Sequence, residues 1–457
     1  LRRIVPVGVA LHSNPHDWFA FALYLFTNKQ NQCKYFKTPF HKSQQNILLA
    51  SRAPVRRPGA IFRKQDPTFS MLYSRSFFFL AIANLSCLSS YGAFFLFPLF
   101  ITAHGGDQVD IGIIMGVFAL SSVLCRPWIS NMIDRVGRKK SYAAGSMIMT
   151  LTPLAYLFFR GALDSFYLPL IMVRVVHGIG FAICITAAFT YIADIIPDER
   201  LNGGLGMFGV SGLIGTALGP VLAEIIIDRA GFDLLFIVAA AISSVGLIIQ
   251  YPLKDTYVRL VKPAESSFFL VLQKRRVFMI AAIALLFGFG LAAANGFVSP
   301  YASARRISFI SLYYIAYSSA AILTRLLGGG FIDRKGEDRI IPYALALMGG
   351  GLLLLVFMKE SGLLFFSGFV TGFGHGLLYP ALNAYALRGE PQNVKGKITG
   401  AYTGSIDAGA FIGSVILGYV GELEGFRALF LAAGAVVLCA IFIFRRVSMF
   451  KLPRPNG

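Results

Sequence analysis

Five side chains able to carry a charge, hold an anion or pass a proton interrupt long apolar stretches of this chain: Arg174, His177, His375, Tyr379 and Asp407. An ionisable group set deep in hydrocarbon is expensive unless it faces a partner or a wet cavity, so a functional role is the default reading. Arg174 keeps its charge and suits an anionic group or a carboxylate. Asp407 can trade a proton as its surroundings alternate between wet and dry. The imidazoles of His177 and His375 have an unperturbed pKa near neutrality, although a lone histidine on a buried helix serves equally well as a hydrogen bond between helices. Asn84, Tyr91 and Asn295 are further polar groups inside apolar stretches, and Glu224 stands near the end of another. The chemistry on offer is binding and proton exchange. No nucleophile–base motif, phosphate loop with Lys and Ser or Thr, or metal-ligand cluster is recognisable, so neither an enzyme nor a cofactor is expected.

These groups must be positioned by elements that live in lipid. The 457-residue chain is 56% hydrophobic and 14% charged, with a mean hydropathy of +0.66, against about 25% charged residues in a soluble chain. A hydrocarbon core about 30 Å thick takes roughly 20 helical residues to cross. Spans are predicted over 77–103, 111–133, 141–159, 165–193, 201–223, 234–253, 277–304, 307–327, 340–358, 361–387, 398–420 and 428–444, about twelve in all. Backbone polar groups cannot face lipid unsatisfied, and the period-two alternation of a barrel is absent, so the fold class is all-α and polytopic. Cys87, Cys125, Cys184 and Cys439 fall inside spans and read as small buried side chains.

The formal charge of +20 belongs to a membrane surface rather than to nucleic acid, because the cations sit between spans and in the first 75 residues. One set of loops carries Arg135, Arg138, Lys139, Lys140, Arg200, Arg334, Lys335, Arg388 and the basic stretch from Lys254 to Arg276. That set belongs in the cytoplasm, with both termini. Residues 1–70 form a basic extension with no span and no Met before Met71, read as disordered or non-native.

The chain repeats itself. Arg126 precedes Asp134 by eight residues, as Arg325 precedes Asp333, and Gly178, Gly180, Pro197, Gly206, Gly215 and Gly219 recur at one constant shift as Gly372, Gly374, Pro391, Gly400, Gly409 and Gly413. The organisation that follows is a first six-helix bundle over 71–253, a cytoplasmic linker over 254–276, a second bundle over 277–446 and a tail over 447–457. Parallel duplication puts a substrate site between the halves near mid-membrane.

The segment from Ser130 through Asp134, Arg135, Gly137 and Arg138 resembles the signature between the second and third helices of the major facilitator superfamily, and Gly329 through Asp333, Arg334 and Gly336 resembles its second-half copy. Arg174, Gly178 and Gly180 resemble the fourth-helix signature. Gly206, Gly215, Gly219 and Pro220 resemble the fifth-helix signature of proton-coupled exporters, which ends in two glycines where this chain has Ala223 and Glu224. The resemblance covers about 71–450. It implies a twelve-helix secondary transporter that moves a small organic solute by alternating access, with Asn84, Tyr91, Arg174, Asn295, His375 and Tyr379 on the cavity-lining helices. It implies the exporter branch, working as a monomer with protons as the coupling ion. Short loops favour a bacterial inner membrane. A substrate–proton symporter performing uptake and a non-transporting receptor on the same scaffold are the alternatives.

Asp134 and Asp333 are expected to act as latches that accept hydrogen bonds from neighbouring helix ends or arginines and release them as the halves rock. Arg126 and Arg325 either snorkel to the interface or pair across the halves. The fifth-helix glycines are expected to pack that helix closely on a neighbour. Asp407 is the leading proton-coupling carboxylate, with His375 assisting.

Overall fold

A computed structural model describes residues 74–197, 201–256, 272–388, 390 and 392–448, without the side chains of 201–202, 328–335, 392–396 and 447–448. The basic extension, most of the linker, the tail beyond 448, Arg200, and the side chains of Asp333 and Arg334 therefore lie outside the described residues. Every element within them is helical, as lipid demands of a backbone that must satisfy its own hydrogen bonds.

In chain order the helices are α1 (Arg75–Ala103), α2 (Gln108–Val136), α3 (Arg138–Ala155), α4 (Tyr167–Ile195), α5 (Leu201–Ile249), α6 (Arg275–Ala304), α7 (Ser311–Lys335), α8 (Glu337–Leu354), α9 (Ser361–Leu387) and α10 (Gln392–Ser448). Eight segments of the described residues are long and apolar enough to cross a bilayer. Two of these, 203–249 and 397–446, are 47 and 50 residues long, more than twice what one crossing takes. Each bends where the sequence predicts a boundary between spans, at Gly231 (φ 77°) and Gly425 (φ 81°). The signature glycines do the same between α2 and α3 and between α7 and α8. Gly137 and Gly336 take φ of 102° and 79°, values an L side chain rarely adopts, and so reverse the chain with almost no loop.

Close approach of their backbones sorts the helices into two sets with matching contacts. α1 lies along α5, α2 and α3 along α4, and α3 along α5. Correspondingly α6 lies along α10, α7 and α8 along α9, and α8 along α10. The sets meet mainly where α2 packs on α10 and α5 on α7.

Glycines set the closest approaches. Gly215 and Gly219 of α5 lie against the backbone of Leu85 and Ser89 in α1, and their counterparts Gly409 and Gly413 lie against Leu285 and Phe289 in α6. Pro220 lies against Gly92, whereas Gly206 faces open space. Large apolar groups such as Trp128, Phe158 and Leu423 are exposed on the outside, a surface suited to hydrocarbon. Cys87 and Cys184 are buried; Cys125 is half-buried and Cys439 exposed, so an apolar stretch marks a lipid-facing cysteine as readily as a core one.

At the end of the molecule bearing the basic loops, each set ties its α3-type helix to its α4-type helix with an ion pair of opposite sense. Arg138 Nε donates to Asp194 Oδ2 at 2.9 Å. The repeat-related residues are Glu337 and Arg388, also an ion pair. Arg138 is the more enclosed, its side chain 11% exposed, and its backbone N–H donates to Asp255 Oδ1 at 3.1 Å. Asp194→Asn should lower the melting midpoint of detergent-purified protein by several degrees, in line with the roughly 1.5–3 kcal/mol of a charge-assisted hydrogen bond. Asp233→Asn, which breaks the exposed Arg160–Asp233 pair, should leave it unchanged, as surface pairs contribute little. Equal shifts in the two variants would refute this ranking.

Candidate functional site

Two pairs of polar residues, each one helical turn apart, face one another where α2 meets α10. Ser122 and Arg126 share a face of α2, and Thr403 and Asp407 share a face of α10. Arg126 Nη2 pairs with Asp407 Oδ2, Arg126 Nη1 donates to Thr403 Oγ1 at 2.8 Å, and Ser122 Oγ donates to Asp407 Oδ2 at 3.1 Å. Both partners are largely enclosed, with side chains 25% and 29% exposed. Arg126 is thus spent on the opposite helix set and does not reach for the interface.

The repeat-related place holds no acid. Arg325 of α7 lies against Gly209 of α5 and over the ring of Tyr379, 5.8 Å from its centroid. Leu213 stands where the repeat would put a counterpart of Asp407. Among the described residues Arg325 forms no ion pair. His375 bonds to the hydroxyl of Tyr317 and neighbours the rings of Phe287 and Tyr379. It makes no contact with Asp407.

A small cavity opens between the sets, bordered by Tyr91, Phe95, Met115, Asn295, Ala410 and Ser414, with Arg174 at its edge. Ala410 lies about one turn along α10 from Asp407, so the Arg126–Asp407 pair sits outside the cavity lining, about one turn from it toward the basic end. Tyr91 is stacked on Phe181, 4.3 Å between centroids. Arg174 is 2% exposed. Its Nε donates to Ile114 O at 3.3 Å. His177, one turn on, is fully enclosed and shares a hydrogen bond of 3.2 Å with the Tyr156 hydroxyl, the helix-to-helix role open to a buried histidine. Asn84 does not border this cavity; its Nδ2 donates to Ser211 Oγ of α5 at 2.9 Å.

Carboxylates close the far end, opposite the basic loops. Glu224 of α5 accepts from the backbone N–H groups of Ile310 and Ser311 at 2.6 and 2.8 Å, where α7 begins. Glu422 of α10 accepts from the N–H of Gln108 at 3.1 Å, where α2 begins. Helix N-termini offer unpaired N–H groups and a positive dipole end, which suits a carboxylate. Each contact joins one helix set to the other.

The basic end is organised by Arg138. Asp134, its side chain 61% exposed, reaches only Arg138 among the described residues, at 3.5 Å. Arg135 is exposed. The acids that hold Arg138 most closely are Asp194 and Asp255, neither of which stands out in the sequence. Also unsuspected from sequence were Ser122, Thr403 and Glu422. The first two are marked only by lying one turn before Arg126 and Asp407.

The family model described as Major Facilitator Superfamily matches residues 79–403 and 307–457. The chain is similar to the staphylopine export protein of Staphylococcus aureus, 22% identical over 365 residues, which cover 77% of this chain and 89% of that protein. It is also similar to the multidrug resistance protein MdtG of Klebsiella pneumoniae, 24% identical over 398 residues, 82% of this chain and 92% of that one. The solved nucleoside transporter NupG superposes with a TM-score of 0.68 at 15% identity, covering 82% of this chain and 100% of that one, a likeness of fold.

Proposed function

Since the chain belongs to the major facilitator superfamily, and is therefore an integral membrane transporter, we propose that it exports a small organic solute in exchange for protons by alternating access. α5 and α10 contribute two crossings each and the other helices one, giving twelve. They form two six-helix bundles over 71–253 and 277–446, joined by the linker over 254–276. The basic end is cytoplasmic and holds both termini, following the excess of Lys and Arg there. The membrane is a bacterial inner membrane, and the working unit is a monomer.

The observation that carries this reading is the Arg126–Asp407 pair, which bridges the two helix sets about one turn from the cavity on its basic side. While Asp407 is ionised, its attraction for Arg126 holds α2 and α10 together on the cytoplasmic side. A proton on Asp407 removes that attraction and leaves Arg126 with Thr403, so the two sets can part there. Glu224 and Glu422 provide the matching closure at the outer face. Asp407 is the carrier because it is the acid that touches both helix sets beside the cavity. His375 supports Tyr317 and Tyr379 instead of the proton step. Export over uptake is supported by the fifth-helix signature and by the export protein and the multidrug resistance protein among the relatives.

In cells stripped of their own exporters, expression should lower the accumulation of at least one member of a panel of fluorescent solutes, and a protonophore should erase the difference. Accumulation that rises with expression and with the proton gradient would favour uptake. No gradient-dependent change for any solute, with the protein present in the membrane, would contradict the reading.

A further inference from the structure

Resting on that reading, we infer that the cargo is an amphipathic organic anion whose acid group docks on Arg174. Three rings surround this guanidinium: its carbon lies 4.8, 5.1 and 5.9 Å from the centroids of Phe118, Phe97 and Phe94. Ring faces attract a cation but accept no conventional hydrogen bond. The remaining partners are uncharged: the carbonyl of Ile114 at 3.3 Å, the thioether of Met115 at 3.4 Å from Nη2 and the hydroxyl of Tyr156. Nη1 is buried with no partner, and among the described residues no carboxylate pairs with Arg174. A buried, uncompensated charge is costly, and packing alone would be served by an apolar residue of similar length.

The missing acceptor has somewhere to come from, because Arg174 borders the cavity and no acid lines it. A carboxylate or sulfonate entering there would meet the Nη1–Nη2 edge as a fork, displacing the weak Met115 contact. The faces of Tyr91 and Phe95 and the chain of Met115 would cover an apolar body, with Asn295 and Ser414 as the neutral polar groups at hand. Charge balance points the same way. Of Arg126, Arg174 and Arg325, the first is matched by Asp407, while the other two have no acid among the described residues. A cationic cargo would add to an unmatched positive interior; an anion reduces it.

Three naphthalene probes of one shape test the inference: 2-naphthoate, 2-naphthamide and 2-naphthylmethylammonium. Each is measured for equilibrium binding to the purified full chain and for counterflow in proteoliposomes. The naphthoate should bind at least roughly thirty-fold more tightly than the amide, and the ammonium no better than the amide. Arg174→Gln should erase that preference, Arg174→Lys should keep part of it, and Arg325→Gln should leave it intact. Equal binding of the three probes by the unaltered protein, no binding of naphthoate, or a preference that survives Arg174→Gln would overturn the docking. Naphthoate that binds but is never exchanged would keep the docking and count against transport. Faster exchange of the ammonium than of naphthoate would keep transport and discard the docking.

Discussion

Asp407→Asn is expected to bring gradient-driven accumulation in proteoliposomes down to the level of empty liposomes while leaving substrate exchange largely intact. The amide keeps an oxygen for Ser122 and Arg126 but carries no charge, so it imitates the protonated acid and removes the proton-dependent step. Exchange needs the halves to rock with substrate bound and no net proton transfer. Arg126→Gln should behave differently. It leaves a carboxylate largely enclosed without its cation, which is more damaging than removing both charges, so exchange and accumulation both fall. The double variant should recover exchange but not accumulation, with a coupling between the two sites of roughly 0.5–3 kcal/mol. Wild-type accumulation by Asp407→Asn would show that the proton travels elsewhere.

The second large effect concerns the outer face. Glu224→Ala deletes both acceptors for the start of α7, and hydrogen bonds to a charged group are worth about 1.5–3 kcal/mol each. Losing even one shifts a two-state balance by about tenfold. A cysteine placed at Asn295, in a background without the native cysteines, should react severalfold faster with a membrane-impermeant maleimide applied outside. Glu422→Ala, which removes one longer contact, should have a smaller effect in the same direction. Glu224→Gln should fall between, since its amide oxygen replaces one acceptor and its NH2 opposes the other N–H. Unchanged labelling in the Glu224→Ala/Glu422→Ala double variant would mean these contacts do not hold the outer side closed.

Much of the helical framework was legible because lipid imposes one rule on every span, and a charge among apolar residues is conspicuous. Asp407 and Arg174 announce themselves for that reason, and Gly137 and Gly336 because only glycine makes those reversals easily. Partnership was not legible. Arg126 and Asp407 are 281 residues apart, and which face of α2 meets α10 depends on packing that no local pattern encodes. Glu224 is visible as an acid, but its partners are backbone N–H groups, which every residue except proline carries. Asp134, prominent in its signature, is held less closely than Asp194, which belongs to no signature.

The reversed ion pairs at the basic end bear on how a duplicated chain sorts itself while it inserts. Two bundles built on one repeating pattern present similar helix surfaces, and the third helix of one is a plausible neighbour for the fourth helix of the other. In this chain that exchange would set Arg138 against Arg388 and Glu337 against Asp194. Both wrong pairings repel, whereas both right ones attract. Like charges brought together in this way cost several kcal/mol, and discrimination rests on the difference between right and wrong partners, not on the strength of either alone. Two ion pairs of modest net stability thereby label each helix with the bundle it belongs to, before any cargo is met.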